Sequence, residues 1–183
     1  MEKKRIFISV VPDLKTIESL LERVELLSNK PWAKGVKWIK KENIHITIKF
    51  IGDTDNYEFE ELFDTVGNRL KNFDQFKIDV KDLMFFPNRS KPRVIGVGVK
   101  SKTLKILVRN IENEILKMGF KKENRKFKGH ITLGRFKRKL VHEYIDERFT
   151  SDLSFHVKEV IVNESILRPE GTIYNVLKRF CLK

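Results

Sequence analysis

HITIKFIG, residues 45–52, and HITLGRFK, residues 130–137, are close to being the same eight residues. Each starts with His-Ile-Thr and continues with apolar and polar residues in alternation, which is the pattern of a β-strand with one buried face. The chain contains only four histidines and eight threonines, so chance rarely produces this tripeptide twice. The repeat therefore predicts two strands that serve one shared purpose.

The first strand separates apolar from polar side chains, because successive residues point to opposite faces of a sheet. The face predicted to enter the core carries Ile44, Ile46, Ile48 and Phe50. The other face carries His45, Thr47 and Lys49. For either motif taken alone, the alternative is a half-exposed strand whose polar face happens to begin with histidine.

The same alternation around the second motif presents His130 and Thr132 and buries the aliphatic residues beside them. Gly134 follows, and glycine inside a strand can mark a bulge that redirects the next residue. We expect such a bulge to turn Arg135 away from the buried face, where unbroken alternation would place it.

Two facing strands of this kind would bring two imidazoles and two hydroxyls into one pocket. An imidazole pKa of about 6.5 allows one ring to be neutral and the other protonated near neutral pH, which gives a general base and a general acid. Thr47 and Thr132 can donate hydrogen bonds to phosphate oxygens, and Arg135 can stabilise charge that develops there. This combination suits the cleavage of a phosphodiester.

Other catalytic arrangements fit the sequence less well. Paired histidines also bind metal ions, but neither motif carries the nearby Asp or Glu that a di-metal phosphoesterase would normally supply. The sequence has no GxSxG elbow and no Gly-rich phosphate loop. We therefore predict a site that uses neither a metal nor another cofactor.

The rest of the chain alternates strands with helices. Besides the second His-Ile-Thr strand, strands are predicted at residues 5–11, 35–41, 43–52, 76–86, 93–100, 155–167 and 172–180. Helices are predicted at residues 13–27, 57–73, 102–120, where Gly119 is the stop, and in a shorter form near 140–149. Two halves with this similar order predict an α+β fold with two lobes, each built on a small sheet. We expect one domain over residues 1–183, with an internal duplication that aligns only at the His-Ile-Thr strands.

The composition of the chain indicates which classes of binding partner and which cellular location to expect. The chain has 183 residues and a formal net charge of +13, which favours polyanions such as RNA, with a solvated Lys/Glu-rich surface as the alternative explanation. No apolar run is long enough to span a membrane, and no cleavage signal follows the N-terminus. Cys181 is the only cysteine, so it is expected to be a packed or half-buried residue of a cytoplasmic protein.

Paired His-x-Thr motifs in a duplicated chain resemble the 2H phosphoesterase superfamily, and within it the RNA 2′,3′-cyclic phosphodiesterases, also called 2′,5′ RNA ligases. The similar segments are RIF at 5–7, VKWIKKENIHITIKFIGD at 36–53, KPRVIGVGV at 91–99, FKGHITLGRF at 127–136 and SILRPEGTIY at 165–174. One departure is Gly129, where such proteins often have proline before the histidine.

The resemblance implies a two-lobed, pseudo-symmetric fold with mainly antiparallel sheets, flanking helices and a cleft lined by the two motifs. It implies metal-independent opening of a 2′,3′-cyclic phosphate at an RNA end, which leaves a 2′-phosphate. In that scheme His130 is the proton acceptor that activates water and His45 is the proton donor to the leaving 3′ oxygen. The pseudo-symmetry leaves the opposite assignment open, because acid and base roles depend on which environment shifts which pKa.

A basic segment, defined here as residues 121–139, surrounds the second motif, and nine of its nineteen residues are Lys or Arg. Lys126 and Lys128 are therefore candidates for RNA contact, with a solvated charged face as the alternative. Phe7 and Trp38 are candidates for stacking on a terminal base, with burial in the core as the alternative. The remaining histidines lack the following threonine; His142 is predicted on a helix surface and His156 on a strand, both without a catalytic role.

Three functions remain open at this point. The first is the phosphodiesterase, acting on RNA ends or on small cyclic nucleotides. The second is an ATP-independent RNA ligase that joins a 2′,3′-cyclic end to a 5′-hydroxyl with the same residues. The third is an RNA-binding module without turnover. The presence of both histidines and both threonines argues against it, because a site without catalysis has no physical reason to keep all four. A monomer is expected in each case.

Overall fold

The computed structural model describes residues 3–137, 145–149, 151–169 and 171–183, which form an α+β fold built on two antiparallel sheets. The strands are β1 Lys4–Val10, β2 Val36–Trp38, β3 Ile46–Thr54, β4 Phe76–Phe86, β5 Val94–Lys100, β6 His130–Phe136, β7 Ser154–Val157, β8 Glu159–Arg168 and β9 Gly171–Cys181. The helices are α1 Leu14–Ser28, α2 Glu58–Leu70 and α3 Lys102–Lys117, with 3₁₀ turns at Pro31–Ala33 and Lys41–Asn43.

Each sheet forms the centre of one lobe and holds one His-Ile-Thr strand. The first sheet has the strand order β3-β1-β8-β9, and the second has the order β2-β6-β5-β4-β7. The prediction of two lobes with one sheet each is confirmed. Strand β3 is at the edge of its sheet, whereas β6 is flanked by strands on both sides.

The chain passes several times from one lobe to the other. The predicted strands 35–41 and 43–52 are neighbours along the chain, but β2 pairs with β6 in the second sheet and β3 pairs with β1 in the first. The predicted strand 155–167 divides at Lys158 into β7 of the second sheet and β8 of the first. Neither lobe is therefore a continuous half of the chain.

Local sequence signals fix the ends of the helices. The Asp13 carboxylate accepts a hydrogen bond from the backbone N–H of Thr16 at 2.8 Å and caps α1. Gly119 follows α3 with a φ of 86°, which is the left-handed conformation that glycine favours at helix ends. The helix predicted near 140–149 is not found at residues 145–149, which have no regular structure, and its first residues and His142 lie outside the described residues.

The core fills the space between each sheet and its helices. Side chains without exposure come from both sheets and from α1, α2 and α3: Ile6, Ile8, Ile46, Ile78, Ile95, Val97, Leu20, Leu62, Leu107 and Ile115. The expectation for Cys181 was wrong, because it is exposed at the end of β9. Its neighbour Leu182 takes the buried position instead, at 5% exposure.

A bulge in β3 changes which residues share a face with the first motif. Ile8 of β1 pairs with Lys49 and Ser9 pairs with Thr47, so Ile48 is an extra residue in the ladder. Beyond the bulge the alternation is reversed. The predicted sides of Lys49 and Phe50 were therefore wrong, because the sequence pattern assumed an unbroken strand.

Lys49 and Phe50 show the consequence. Lys49 is 6% exposed, and its ammonium donates to Glu112 of α3 at 3.0 Å and to the Lys121 carbonyl at 3.1 Å. Phe50 is 58% exposed, and its ring lies 6.0 Å from that of Phe7 on the side of the sheet that carries His45. The buried ammonium thus connects β3 to the segment that leads into β6.

The predicted bulge in β6 is confirmed. Ile95 of β5 pairs with Gly134 and Gly96 pairs with Thr132, so Leu133 is the extra residue. Leu133 and Gly134 are both buried, and Arg135 becomes exposed. A Cβ at Gly134 would come within 2.6 Å of Val36, so this position needs glycine to let β2 approach.

Candidate active site

The two His-Ile-Thr strands approach each other between the lobes, with Cα atoms of β3 and β6 within 8 Å. His45, Thr47, His130 and Thr132 are all partly exposed there. The charges of His130 and Arg135 act on His45, which means that these three groups lie close enough to interact. The structure thus brings together the residues that the sequence singled out.

Both imidazoles are held by the same backbone pattern. The Nδ1–H of His45 donates to the Asn43 carbonyl at 2.7 Å, and the Nδ1–H of His130 donates to the Lys128 carbonyl at 2.8 Å. A carbonyl can only accept, so Nδ1 carries the proton and Nε2 carries the lone pair in each neutral ring. Each histidine is held by the carbonyl two residues before it.

The Nε2 atoms differ in their partners. The Nε2 of His45 accepts from the Thr47 hydroxyl at 3.0 Å. In the described part of the chain, the Nε2 of His130 has no hydrogen-bond partner. Its lone pair is available to a bound molecule without breaking a protein hydrogen bond.

Aromatic rings support both imidazoles. The ring of Phe7 lies 5.1 Å from that of His45 at 43°, and the ring of Phe86 lies 4.7 Å from that of His130 at 44°. Tyr174 adds an edge-on contact to His45 alone, at 5.1 Å and 84°. In the part of the chain that the structure describes, two rings therefore pack against His45 and one against His130.

Burial lowers the pKa of both histidines. For His45, burial is the main cause, the hydrogen bond to Asn43 opposes it, and the positive charges of His130 and Arg135 lower the pKa further. For His130, burial again dominates, the hydrogen bond to Lys128 opposes it, and Arg135 lowers the pKa. Without a bound anion, both rings favour the neutral form at neutral pH.

Two cavities lie next to the site, and His45 lines the smaller of them. The larger, of about 340 Å³, is lined by Lys37, Trp38, Ile39, Lys40, Glu42, Asn43, Arg135, Arg168, Gly171, Thr172, Ile173 and Tyr174. The smaller, of about 180 Å³, lies along the first sheet and includes Phe7, Ser9, His45, Asn163 and Tyr174. Tyr174 belongs to both linings, and burial raises the pKa of its phenol, so the hydroxyl stays protonated at neutral pH.

The remaining candidate residues differ in exposure and in their distance from the site. Phe7 is 2% exposed, packs against His45 and lines the smaller cavity; its low exposure favours the packing role, and RNA contact stays a prediction. Trp38 is half-buried and lines the larger cavity. Lys126 and Lys128 are exposed, and RNA contact stays a prediction for both. His156 is exposed on β7, as expected of a strand histidine.

Sequence reasoning missed Phe86 and Tyr174. Phe86 ends a predicted strand and Tyr174 lies inside another, and no local motif distinguishes them from ordinary core aromatics. Their contacts depend on which strands pair, since β4 reaches β6 only through β5 and β9 reaches β1 only through β8. A single sequence does not carry that information.

The described residues contain neither a cluster suited to a metal ion nor a helix suited to a membrane span. Among the described residues, no three or more His, Cys, Asp or Glu side chains are grouped so that they could hold a metal ion. No helix in the same residues is long and apolar enough to cross a membrane.

A two-lobed α+β fold with two His-x-Thr strands facing each other defines the class of the 2H phosphoesterases. The sequence profile of LigT-like phosphoesterases matches residues 11–96 and 97–174, and the chain belongs to this family. Each matched range contains one of the His-Ile-Thr motifs.

Relatives of known name cover nearly the whole chain. An RNA 2′,3′-cyclic phosphodiesterase of Archaeoglobus fulgidus is 34% identical, over 96% of this chain and 99% of the relative. One of the same name from Methanocaldococcus jannaschii is 32% identical, over 89% of this chain and 94% of the relative.

Solved structures agree in fold. A Thermus thermophilus protein, TT0787, superposes with a TM-score of 0.85 at 23% identity, covering 97% of each chain. Escherichia coli LigT complexed with 3′-AMP superposes with a TM-score of 0.83 at 22% identity, covering 100% of this chain and 99% of LigT.

Proposed function

We propose that this protein hydrolyses 2′,3′-cyclic phosphate ends of RNA to 2′-phosphate ends by acid–base catalysis with two histidines and without a metal ion. The observation that carries the proposal is the matched pair of imidazoles, each with Nδ1 held by a backbone carbonyl, with Nε2 bonded to the Thr47 hydroxyl in His45 and without a described partner in His130. The name shared by the relatives supports this substrate. The complex of LigT with 3′-AMP supports nucleotides as ligands of this fold.

The proposed reaction is a displacement at phosphorus. The Nε2 of His130 takes a proton from water as the water oxygen forms a bond to phosphorus. The bond from phosphorus to the 3′ oxygen breaks, and Nε2–H of protonated His45 gives its proton to that oxygen. The product carries a 2′-phosphate and a 3′-hydroxyl, so atoms and charge balance.

The different partners of the two Nε2 atoms support this assignment. The lone pair of His130 has no described hydrogen-bond partner, as a base that receives a proton from water requires. The phosphate anion opposes the effect of burial and favours the protonated form of His45. Thr47 and Thr132 donate to the non-bridging oxygens, and Arg135 stabilises the charge that builds up on them.

The first experiment uses an oligoribonucleotide with a 2′,3′-cyclic phosphate in excess EDTA, with the product end identified by phosphorus NMR. We expect a 2′-phosphate. His45→Ala and His130→Ala should each lower kcat by about 10²- to 10⁴-fold, the scale of general acid–base groups. His156→Ala is the matched control, because His156 is an exposed strand histidine outside the site, and it should keep full activity.

Other products would contradict the proposal. A 3′-phosphate would mean that the wrong oxygen leaves, and activity lost in EDTA would mean that a metal is needed. A 2′,5′-linked product formed with 5′-hydroxyl RNA would favour the ligase, and an unchanged but bound RNA would favour the binding module. The monomeric state and the cytoplasmic location stay predictions.

A further inference from the structure

The larger cavity is lined by several positively charged side chains. They are more than are needed for the reacting phosphate, which Thr47 and Thr132 are proposed to hold. Among the described residues, the lining of this cavity includes Lys37, Lys40, Arg135 and Arg168 and one carboxylate, that of Glu42. Within the described ranges, no carboxylate lies within ion-pair distance of Lys40, Arg135 or Arg168. The cavity is therefore suited to an anionic ligand.

Two of these cations, Lys37 and Arg168, lie next to Gly171 at one rim of the cavity. Arg168 ends β8 directly opposite Gly171, the first residue of β9. Gly171 has a φ of 142°, and a Cβ on it would lie 3.1 Å from the ammonium nitrogen of Lys37. The glycine thus leaves the space that the ammonium occupies, next to the strand pair that carries the guanidinium.

The cavity is also adjacent to the place of reaction. Arg135 lines it and acts electrostatically on His45, His130 and Tyr174. Trp38 and Tyr174 contribute aromatic surface to the same lining. A ligand whose reacting phosphate lies between the histidines can therefore extend into this cavity and bring a second anionic group to the rim.

We propose that the rim formed by Lys37, Lys40 and Arg168 binds the phosphate on the 5′ side of the reacting nucleotide. The inference rests on the proposed function and adds to it a second phosphate site. Charge-assisted hydrogen bonds from Arg168 and the lysines hold that phosphate. The enzyme then prefers a cyclic end that carries a 5′ phosphate, as every internal linkage of an RNA chain provides, over a nucleoside 2′,3′-cyclic phosphate.

The basic segment is the competing surface for upstream phosphates. Its described lysines, including Lys126 and Lys128, are exposed, but none of them lines the cavity. Of the described part of this segment, residues 121–137, only Arg135 lines it. A phosphate one nucleotide away from the reacting one is therefore assigned to the rim.

The test compares two substrates that differ only in the 5′ phosphate: adenosine 2′,3′-cyclic phosphate and its 5′-phosphorylated form. The wild-type protein should have a kcat/KM about 10- to 100-fold higher for the phosphorylated substrate, the scale of charge-assisted hydrogen bonds. Arg168→Gln should reduce this preference about tenfold. Arg109→Gln is the matched control, because it removes one exposed guanidinium from α3 and not from the cavity, and it should keep the preference.

Three outcomes of these measurements would overturn the second phosphate site, and one of them would overturn the proposed function as well. Equal kcat/KM for the two substrates would overturn the second phosphate site while leaving the proposed function intact. An equal loss of preference in Arg168→Gln and Arg109→Gln would also overturn it, because the effect would then come from net charge. Hydrolysis of neither substrate, nor of a cyclic oligoribonucleotide end, would overturn the proposed function and this inference together.

Discussion

His45 and His130 share a backbone hydrogen bond but differ in what surrounds their rings. His45 packs between Phe7 and Tyr174, and its Nε2 already has the Thr47 hydroxyl as a partner. Among the described residues, the ring that packs on His130 is that of Phe86. Sites that use two similar groups as acid and base need environments that separate their pKa values. Burial and the charge of His130 lower the pKa of His45, so the negative charge of the bound phosphate has to offset them for His45 to act as the proton donor.

Arg135 influences the protonation of both histidines, as well as the charge on the bound phosphate. Its positive charge adds to burial in lowering both pKa values. One protonated and one neutral ring are needed together, so kcat/KM in the wild-type protein should be maximal below the ordinary histidine pKa of about 6.5. Arg135→Gln should raise both pKa values and move that maximum to higher pH, with kcat/KM about 10²- to 10³-fold lower.

NMR titration of the histidine ring signals in the free protein measures the two pKa values directly. Arg135→Lys is the control, since it retains the charge and should leave the pKa values near those of the wild-type protein. A loss of activity in Arg135→Gln with unchanged histidine pKa values would show that Arg135 acts on the phosphate alone.

At the scale of single elements, the site depends on two bulges. The bulge at Ile48 places Lys49 against α3 and exposes Phe50, and the bulge at Leu133 directs Arg135 outward. Gly96 of β5 lies opposite the second bulge. A Cβ there would be 2.4 Å from the Ile131 carbonyl oxygen. This distance is too short for a carbon and an oxygen that are not bonded, and a backbone carbonyl cannot move aside as a side chain can.

Gly96→Ala should therefore push β6 away from β5 and displace His130 and Thr132. We expect a loss of about 1–3 kcal/mol in the free energy of unfolding, as for other overpacked sites. The displacement should cost about 10²-fold in kcat, the scale of a misplacement near 1 Å. Urea denaturation and steady-state kinetics measure the two effects.

Gly67→Ala is the comparison for Gly96→Ala. Gly67 lies inside α2, where a Cβ would meet only the Phe180 ring, at 3.0 Å. A ring can shift where backbone cannot, and alanine favours the helix by about 0.5–1 kcal/mol over glycine. Gly67→Ala should keep full activity, and an equal loss of activity in both variants would argue against the role of Gly96.

The elements themselves were largely predictable. Apolar periodicity located the three described helices, and the paired motifs located β3 and β6, because these signals depend on residues close in sequence. The sides of Lys49 and Phe50 were not predictable, since β3 carries no glycine at Ile48 to mark its bulge, in contrast to Gly134 in β6. The aromatic supports Phe86 and Tyr174 were missed for a different reason, because their positions depend on strand pairing across the sheets.

Each of the two sheets contains strands from both halves of the chain, so the fold of either lobe requires both halves. The first sheet needs β8 and β9, and the second needs β2. The match of one family profile to residues 11–96 and 97–174 agrees with a duplication, and the duplication stays a prediction. A duplicated chain could have two separable lobes, but each sheet here would lose strands if the halves were parted.

We therefore expect equilibrium unfolding in urea to be a single transition, because cooperative units coincide with shared cores. Trp32 packs on Phe85 and Phe136, and Trp38 lies on β2, so tryptophan fluorescence reports on the second sheet alone. The ring signal of His45 reports on the first sheet by NMR. Coincident midpoints are the expected result, because the chain crosses between the two sheets from β1 to β2, from β2 to β3, from β3 to β4 and from β7 to β8. Two separate midpoints would show that the lobes unfold independently, and the cleft would then be an interface between two units.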